Sequence, residues 1–370
     1  MARAGGKLFK SVMQVNELRR LAVEDHALMN FSLHERPVII IWEVTRRCAL
    51  ACRHCRAVAQ PGPDPSELAG EDVERLLDQV AEAKPSFFIL TGGDPASRPD
   101  LEDIVRSATS RGLRVAISPS ATPRLLKKDF RALRDAGVER ISLSLDGACE
   151  ATHDAFRGVR GTWEWTRRAL DKAAAAGLEF QINTTFSRTN IGEWEAFASA
   201  IRAMDPKMWS IFLLVPTGRA QADEMLDGDE TEALWGRLAD FQDQTGIPVK
   251  TTEGPHFRRV MAQRRKGGDM PWRFAPTNDG RGFAFISHRG DVQPSGFLPL
   301  TCGNTRTGNL LEIYQTSPVF LSLRDSNSFG GKCGYCEYRN ICGGSRARAY
   351  ALTGDYLSEE PCCSYQPKRL

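Results

Sequence analysis

The chain has 370 residues, of which 41% are hydrophobic and 26% charged. That is ordinary globular usage, and the length suits two domains or one large α/β barrel with an addition. A net charge of +3 is too small to argue for nucleic acid as a partner, although the many arginines suit an anionic substrate. No apolar run approaches the roughly 18 residues that would cross a bilayer, and residues 1–20 contain no continuous apolar signal core. Ten clustered cysteines in such a chain point to metal binding in a reducing cytoplasm rather than to a secreted disulfide framework.

In chain order, the first apolar run, residues 38–42, is a candidate strand that leads into CALACRHC. Cys48, Cys52 and Cys55 stand in C-x3-C-x2-C spacing. Three thiolates so placed can hold three irons of a four-iron cubane and leave the fourth open to a ligand other than cysteine. A zinc knuckle is the alternative. It needs a fourth ligand close by, and His54, between two of the cysteines, is poorly placed to close the same tetrahedron. An amphipathic helix over 70–83 follows, then a strand over 87–90 that ends in the turn TGGDP. Further strands at 114–117, 140–145, 179–184 and 209–214 alternate with helical patterns such as 98–112 and 162–177, each stopping near a glycine or a short turn. This alternation predicts a parallel sheet of βαβ units, and about six units predict an open or partial barrel. Reactive groups in such folds gather at the carboxyl ends of the strands, where the cysteine loop and the GGDP turn would both lie.

With C-x3-C-x2-C after the first strand and GGDP after the second, the chain resembles the radical S-adenosylmethionine (radical SAM) superfamily, although aspartate stands where glutamate is commoner. The resemblance implies an α/β fold with a partial (β/α)6 TIM-like barrel. It implies a [4Fe–4S] cluster on Cys48, Cys52 and Cys55 whose open iron binds the amino and carboxylate groups of SAM, and cleavage of SAM to a 5′-deoxyadenosyl radical. It also nominates SAM contacts: Gly92, Gly93 and the Asp94 carboxylate for the methionine amino group, Ser118 and Ser120 after the third strand, Ser144 and Asp146 after the fourth, and Asn183 at the end of the fifth. Arg157, in HDAFRG, offers a fork of donors to the SAM carboxylate. Each of these residues has a helix-cap or turn reading as well. Leu214 and Val215 are candidates for packing on adenine.

Near the C-terminus, Cys333, Cys336 and Cys342 form C-x2-C-x5-C, followed by Cys362 and Cys363. Four thiolates would coordinate every iron of a cubane, which suits electron transfer or structure; a four-cysteine zinc site is compatible with the same spacing. The block resembles the SPASM or twitch extension of radical SAM enzymes, preceded by a β-hairpin leading into a helix. Full SPASM domains carry a cysteine where this chain has Ser295. The resemblance therefore implies one auxiliary [4Fe–4S] cluster, on Cys333, Cys336, Cys342 and Cys363. Cys302 and Cys362 are left over, and Cys149 reads as an inert small residue.

The stretches CGGSRARAYALTGDY, SHRGDVQPSGFLP and SLDG-x5-HDAFRG are similar to radical SAM enzymes of alternative-haem and related tetrapyrrole pathways, which oxidatively remove or alter propionate side chains. The expected organisation is an N-terminal extension (1–36), the barrel (37–221), a bridging segment forming a substrate wall (222–280) and the SPASM/twitch-like domain (281–370). His256, Arg258 and Arg259 in the bridge are candidates to meet a carboxylate. The expected activity is hydrogen abstraction and oxidative decarboxylation of a small-molecule substrate, a tetrapyrrole, with an electron donor such as a flavodoxin or ferredoxin. The alternative is a maturase of a ribosomally synthesised peptide, a reading weakened by the short stretch before the first strand.

Overall fold

The computed structural model describes residues 33–264 and 277–368. Most of the expected N-terminal extension and the later part of the bridging segment lie outside the described residues. All six expected strands form, within two residues of their expected ends: β1 (Ile39–Glu43), β2 (Phe87–Thr91), β3 (Val115–Ile117), β4 (Val138–Ser144), β5 (Glu179–Phe186) and β6 (Trp209–Leu213). They pair in parallel, in chain order.

Two further strands widen this sheet. β7 (Val249–Thr252) adds in parallel beyond β6, and β8 (Phe283–Ile286) pairs in parallel with β1 on the other side. The expected hairpin is present: β9 (Asp291–Gln293) returns antiparallel to β8, and β10 (Gly303–Asn304) completes a ten-stranded sheet. β10 and β7 are its two edges, so the barrel is open. The sheet thus runs through the boundaries expected at 221/222 and 280/281. β7 carries no apolar alternation because all four of its residues are half-buried. Its concave side continues a polar row, Asn183–Ser210–Lys250, in register across β5, β6 and β7.

Strand alternation decides which side chains meet the helices and which meet the interior. Ile40, Trp42, Phe88 and Leu90 are fully buried in the core, while Ile41, Ile89 and Phe285 line the concave side. The helix Glu71–Ala83 buries Val73, Leu76, Leu77, Val80 and Ala83, one stripe at helical spacing. Trp209 is fully buried; its indole N–H donates to Thr184 Oγ1 at 2.9 Å, and its ring lies 5.7 Å from Trp194 and 5.0 Å from Phe241.

At the carboxyl end of β1, Glu43 turns inward and is 1% exposed. Its carboxylate meets Arg56 Nη1 at 2.9 Å and His288 Nδ1 at 3.0 Å, joining β1, the cysteine loop and the β8–β9 turn. Burial alone would raise its pKa, but Arg56 and His288 outweigh burial and bring it down to about 2. A depressed carboxyl pKa stabilises the fold fully above the unfolded value near 4.5, and that contribution is lost as pH falls toward 2. Glu43→Gln is therefore expected to cost about 3–5 kcal/mol at pH 7, since it strands a buried arginine. The melting-temperature gap between wild type and variant should shrink as pH is lowered through 4.5; a gap independent of pH would refute the linkage.

Candidate active site

The cysteine loop leaves β1 and is held from three sides by backbone hydrogen bonds. Cys48 N–H donates to Gln60 O at 2.9 Å. The turn after β2 docks on it: Gly93 N–H donates to Thr45 O at 2.7 Å and Asp94 N–H to Arg47 O at 2.8 Å. The contact is so close that a Cβ on Gly93 would lie 2.5 Å from Arg47 O and 2.6 Å from Arg46 O. From the β4 side, Ala51 and Arg53 N–H donate to Arg157 O and Phe156 O. From the segment after β6, Arg219 donates its N–H to Cys55 O at 3.1 Å and Nε–H to Cys52 O at 2.9 Å.

Cys48, Cys52 and Cys55 come together with Leu50, Ala59, Val159 and Trp165 in a small apolar cluster. Burial pushes the Cys52 thiol up to about 11, so a thiolate there needs cationic compensation. Leu50 N–H points at Cys48 Sγ at 3.3 Å, and Ser120 Oγ, whose hydroxyl donates to Gly93 O at 3.0 Å, lies 3.4 Å from it. The N–H contact suits a cluster thiolate.

The three thiols border a cleft of about 980 Å³ at the strand ends. Gly92, Gly93, Ser118, Ser120, Ser144, Arg157 and Asn183 are on its wall, as are Leu214 and Val215. The carboxylates of Asp94 and Asp146 are not on that wall; each is turned into hydrogen bonds behind it. Asp94 is 1% exposed and accepts from Ala96 N–H (3.1 Å), Ser120 N–H (3.2 Å) and Thr122 Oγ1–H (3.0 Å). It pins the turn after β2 to the segment after β3, and burial raises its carboxyl to about 6. Asp146 accepts from Thr185 N–H at 2.7 Å and holds Arg157 Nη1 at 2.9 Å, so it aims the arginine from behind. A short acidic side chain after a strand reads the same in sequence whether it faces the cleft or caps its own turn. His54, Arg56, Thr185 and Arg219 are wall residues that motif reasoning did not nominate as SAM contacts.

A second cleft, about 990 Å³, fills the concave side of the sheet and shares Arg56, Thr91, Ser118, Asn183, Phe212 and Phe297 with the first. Its wall is mixed: Ile41, Ile89, Phe283 and Phe285 on one side face Ser142, Gln181, Ser210 and Lys250 from β4 to β7, with Glu253, Arg258, Asn278 and Asp279 toward the C-terminal extension. Ser295 also faces it and donates to the buried Glu253 at 3.2 Å. Arg258 is thus a cavity residue, whereas His256 and Arg259 belong to a different pocket.

That pocket, about 370 Å³, is lined by Cys333, Cys336, Cys342 and Cys363. Cys333 Sγ accepts from Glu360 N–H at 3.4 Å and Arg346 Nη2–H at 3.7 Å. Burial pushes Cys342 up to about 12. Cys362 is 3% exposed and turned away, donating to Leu226 O at 3.1 Å. Cys302 donates to Leu300 O at 3.5 Å, and Cys149 lies exposed beside Thr152. Among the described residues no three Cys, His, Asp or Glu side chains converge on a single-ion site. Both thiol sets edge a cavity, and thiolates are the usual protein ligands of iron–sulfur clusters. Asn278 bridges the two spaces: it lines the large cleft and donates to Cys342 O at 3.3 Å.

An open parallel barrel whose strand ends carry this thiol loop, a docked Gly-Gly turn and a polar cleft defines a SAM-dependent radical enzyme. A profile of the Radical SAM superfamily matches residues 42–201. An AdoMet-dependent heme synthase of Oleidesulfovibrio alaskensis is 41% identical over 344 residues, covering 90% of this chain and 88% of that protein. One from Methanosarcina barkeri is 38% identical, covering 90% and 97%. The chain belongs to the radical SAM superfamily, in the branch that contains these haem synthases. Among solved structures, Streptococcus suis SuiB bound to S-adenosylmethionine shares the fold, with a TM-score of 0.68 at 16% identity over 90% of this chain and 78% of that one. The chain is an enzyme of this superfamily with a SPASM-like C-terminal extension, and the superfamily carries a [4Fe–4S] cluster and SAM. Among the described residues no helix is long and apolar enough to cross a membrane.

Gly93→Ala tests the docking of the turn on the cysteine loop. The added methyl forces apart backbone that cannot yield cheaply, so the variant is expected to lose iron at the first thiol set and SAM cleavage with it. Iron analysis and 5′-deoxyadenosine assay check this; normal loading and cleavage would contradict it.

Proposed function

We propose that this enzyme oxidatively decarboxylates propionate side chains of a tetrapyrrole. In this reading Cys48, Cys52 and Cys55 hold the cluster that binds SAM, and Cys333, Cys336, Cys342 and Cys363 hold one auxiliary [4Fe–4S] cluster. The observation that carries it is the large cleft, which opens at one end onto the first thiol set and at the other, through Asn278 and Arg258, borders the second. Its cationic residues Arg56, Lys250 and Arg258 suit a polycarboxylate. The 41% identity to a haem synthase over nearly the whole chain supports a tetrapyrrole over a peptide.

When bound, the first cluster and SAM supply a 5′-deoxyadenosyl radical. Converting a propionate carboxylate to a vinyl group removes one hydrogen atom, one electron and carbon dioxide. The residues of this chain divide that work. Gly92, Gly93, Ser118, Ser144, Asn183 and Arg157 line the space for SAM, with Arg157 aimed by Asp146 and the turn held by Asp94. The shared wall at Thr91, Phe212 and Phe297 brings the reacting side chain beside that space. The second thiol pocket, with the Arg346 donor on Cys333, suits an acceptor for the departing electron. A flavodoxin or ferredoxin is the expected external donor, and ten free thiols suit a reducing cytoplasm.

Anaerobically reconstituted enzyme given SAM, a one-electron reductant and iron coproporphyrin III is expected to release one carbon dioxide per propionate converted, with vinyl products visible by mass. SAM cleavage without any change in the porphyrin, alongside modification of a candidate peptide, would replace this reading by the peptide-maturase one. Cys363→Ala should lose the auxiliary cluster and product formation while Cys362→Ala keeps both, measured by iron content and product yield. The reverse pattern would exchange the two assignments.

A further inference from the structure

Lys250 is a cation of the cleft wall to which the proposed chemistry gives no particular position on the substrate. It stands on β7 with its side chain on the wall of the second cleft. In register it continues the row Asn183–Ser210–Lys250, and Asn183 faces both clefts. Two strand spacings place it about 10 Å from Asn183. The other cations on the wall are engaged. Arg56 is bound to Glu43 at 2.9 Å and lies over the Phe285 ring at 4.5 Å. Arg258 donates to Thr277 O at 2.6 Å and has Asp279 and Cys342 nearby. The wall's acids are engaged too: Asp279 accepts from the N–H groups of Arg346 and Ala347, and Glu253 accepts from Ser295 and Ser345. Among the described residues, Lys250 has no hydrogen-bond acceptor and no carboxylate within ion-pair distance. The charge that reaches it is Arg140, also positive, and burial together with Arg140 lowers its ammonium to about 8.

We propose that Lys250 is the anchor for a carboxylate of the substrate, held across the sheet from the reacting position at the Asn183 rim. This rests on the tetrapyrrole reading and deepens it. A half-buried cation with no partner among the described residues gains from an arriving anion, so the site favours a ligand that carries one. Ser210 beside it in register, with Gln181 and Ser142 farther along the same wall, supplies neutral donors that a carboxylate accepts from and a neutral alkyl group does not use. A rigid macrocycle bearing carboxylates on several rings can then place one on Lys250 and present another at the Asn183 rim. Lys250 is thus a specificity-determining residue, reading the number and placement of carboxylates.

The test is a Soret-band titration of the reconstituted enzyme with iron coproporphyrin III and with its tetramethyl ester, for wild type, Lys250→Met and Lys250→Arg. Circular dichroism and iron content report that each variant is folded and loaded. Wild type is expected to bind the acid at least about tenfold more tightly than the ester. Lys250→Met is expected to weaken the acid by about tenfold and leave the ester nearly unchanged, and Lys250→Arg to recover part of the preference. A packing role for Lys250 would weaken both ligands alike and would overturn the anchor, as would a Lys250→Met protein that keeps the full acid preference. A wild type that binds neither ligand would sink the tetrapyrrole reading itself, and the anchor with it. Should the variants fail to fold, amine-labelling of Lys250 in the unaltered chain decides: the acid should slow labelling and the ester should not, and equal labelling in both would refute the proposal.

Discussion

Arg348 has no exposure to solvent, yet its guanidinium donates to four groups on three separate segments. It reaches Leu213 O and Leu214 O at the end of β6, Glu253 O just beyond β7, and the Glu360 carboxylate next to the second cysteine pair. A buried guanidinium is stable only when its donors are met and its charge balanced, and here both conditions are satisfied. Glu360, equally buried, is held down to about 2 by Arg348 and His256 against the effect of burial. This clamp fixes the C-terminal extension on the open end of the barrel. Without it the Cys333 pocket would have no set position relative to the cleft that the strands enclose.

That constraint explains how two thiol sets far apart in sequence come to border one reaction space. The barrel presents Cys48, Cys52 and Cys55 because β1 ends where Glu43, Arg56 and His288 can pair. The extension presents Cys333, Cys336, Cys342 and Cys363 because Arg346, Arg348 and Asp279 organise the start of the helix Arg346–Thr353. The second cleft lies between them, and the polar side chains that β4 to β7 turn into it depart from the packed apolar interior of a closed (β/α)8 barrel. Leaving the barrel open creates room for a substrate, and those inward positions are polar for that reason.

Three residues at motif positions show what a motif leaves open. Asp94 and Asp146 stand where acidic SAM contacts would be sought, and both instead accept hydrogen bonds from neighbouring backbone and side chains. Their influence on the cleft is indirect: one sets the Gly-Gly turn, the other sets Arg157. Ser295, nominated by comparison with a cysteine, proves to be the donor to a buried glutamate. A motif gives the type of residue at a strand end but not the direction of its side chain.

Local patterns in the chain determine a good deal unaided. Thiol spacing, glycine positions and the strand–helix alternation are short-range features, and each has a physical consequence that needs no knowledge of distant residues. They specify the class of chemistry, the six core strands, the partial barrel and the division of cysteines into two groups. Tertiary structure decides what depends on contacts across the chain. It turns Cys362 into the core and Cys363 toward the pocket, although the two are adjacent. It recruits β7 and β8 into the sheet, and the half-polar face of β7 makes sense against a cleft. Among the described residues it leaves Lys250 without a partner, a property set by which segments come near it. Side-chain direction and charge environment are sums over neighbours distant in sequence, and only the folded chain assembles them.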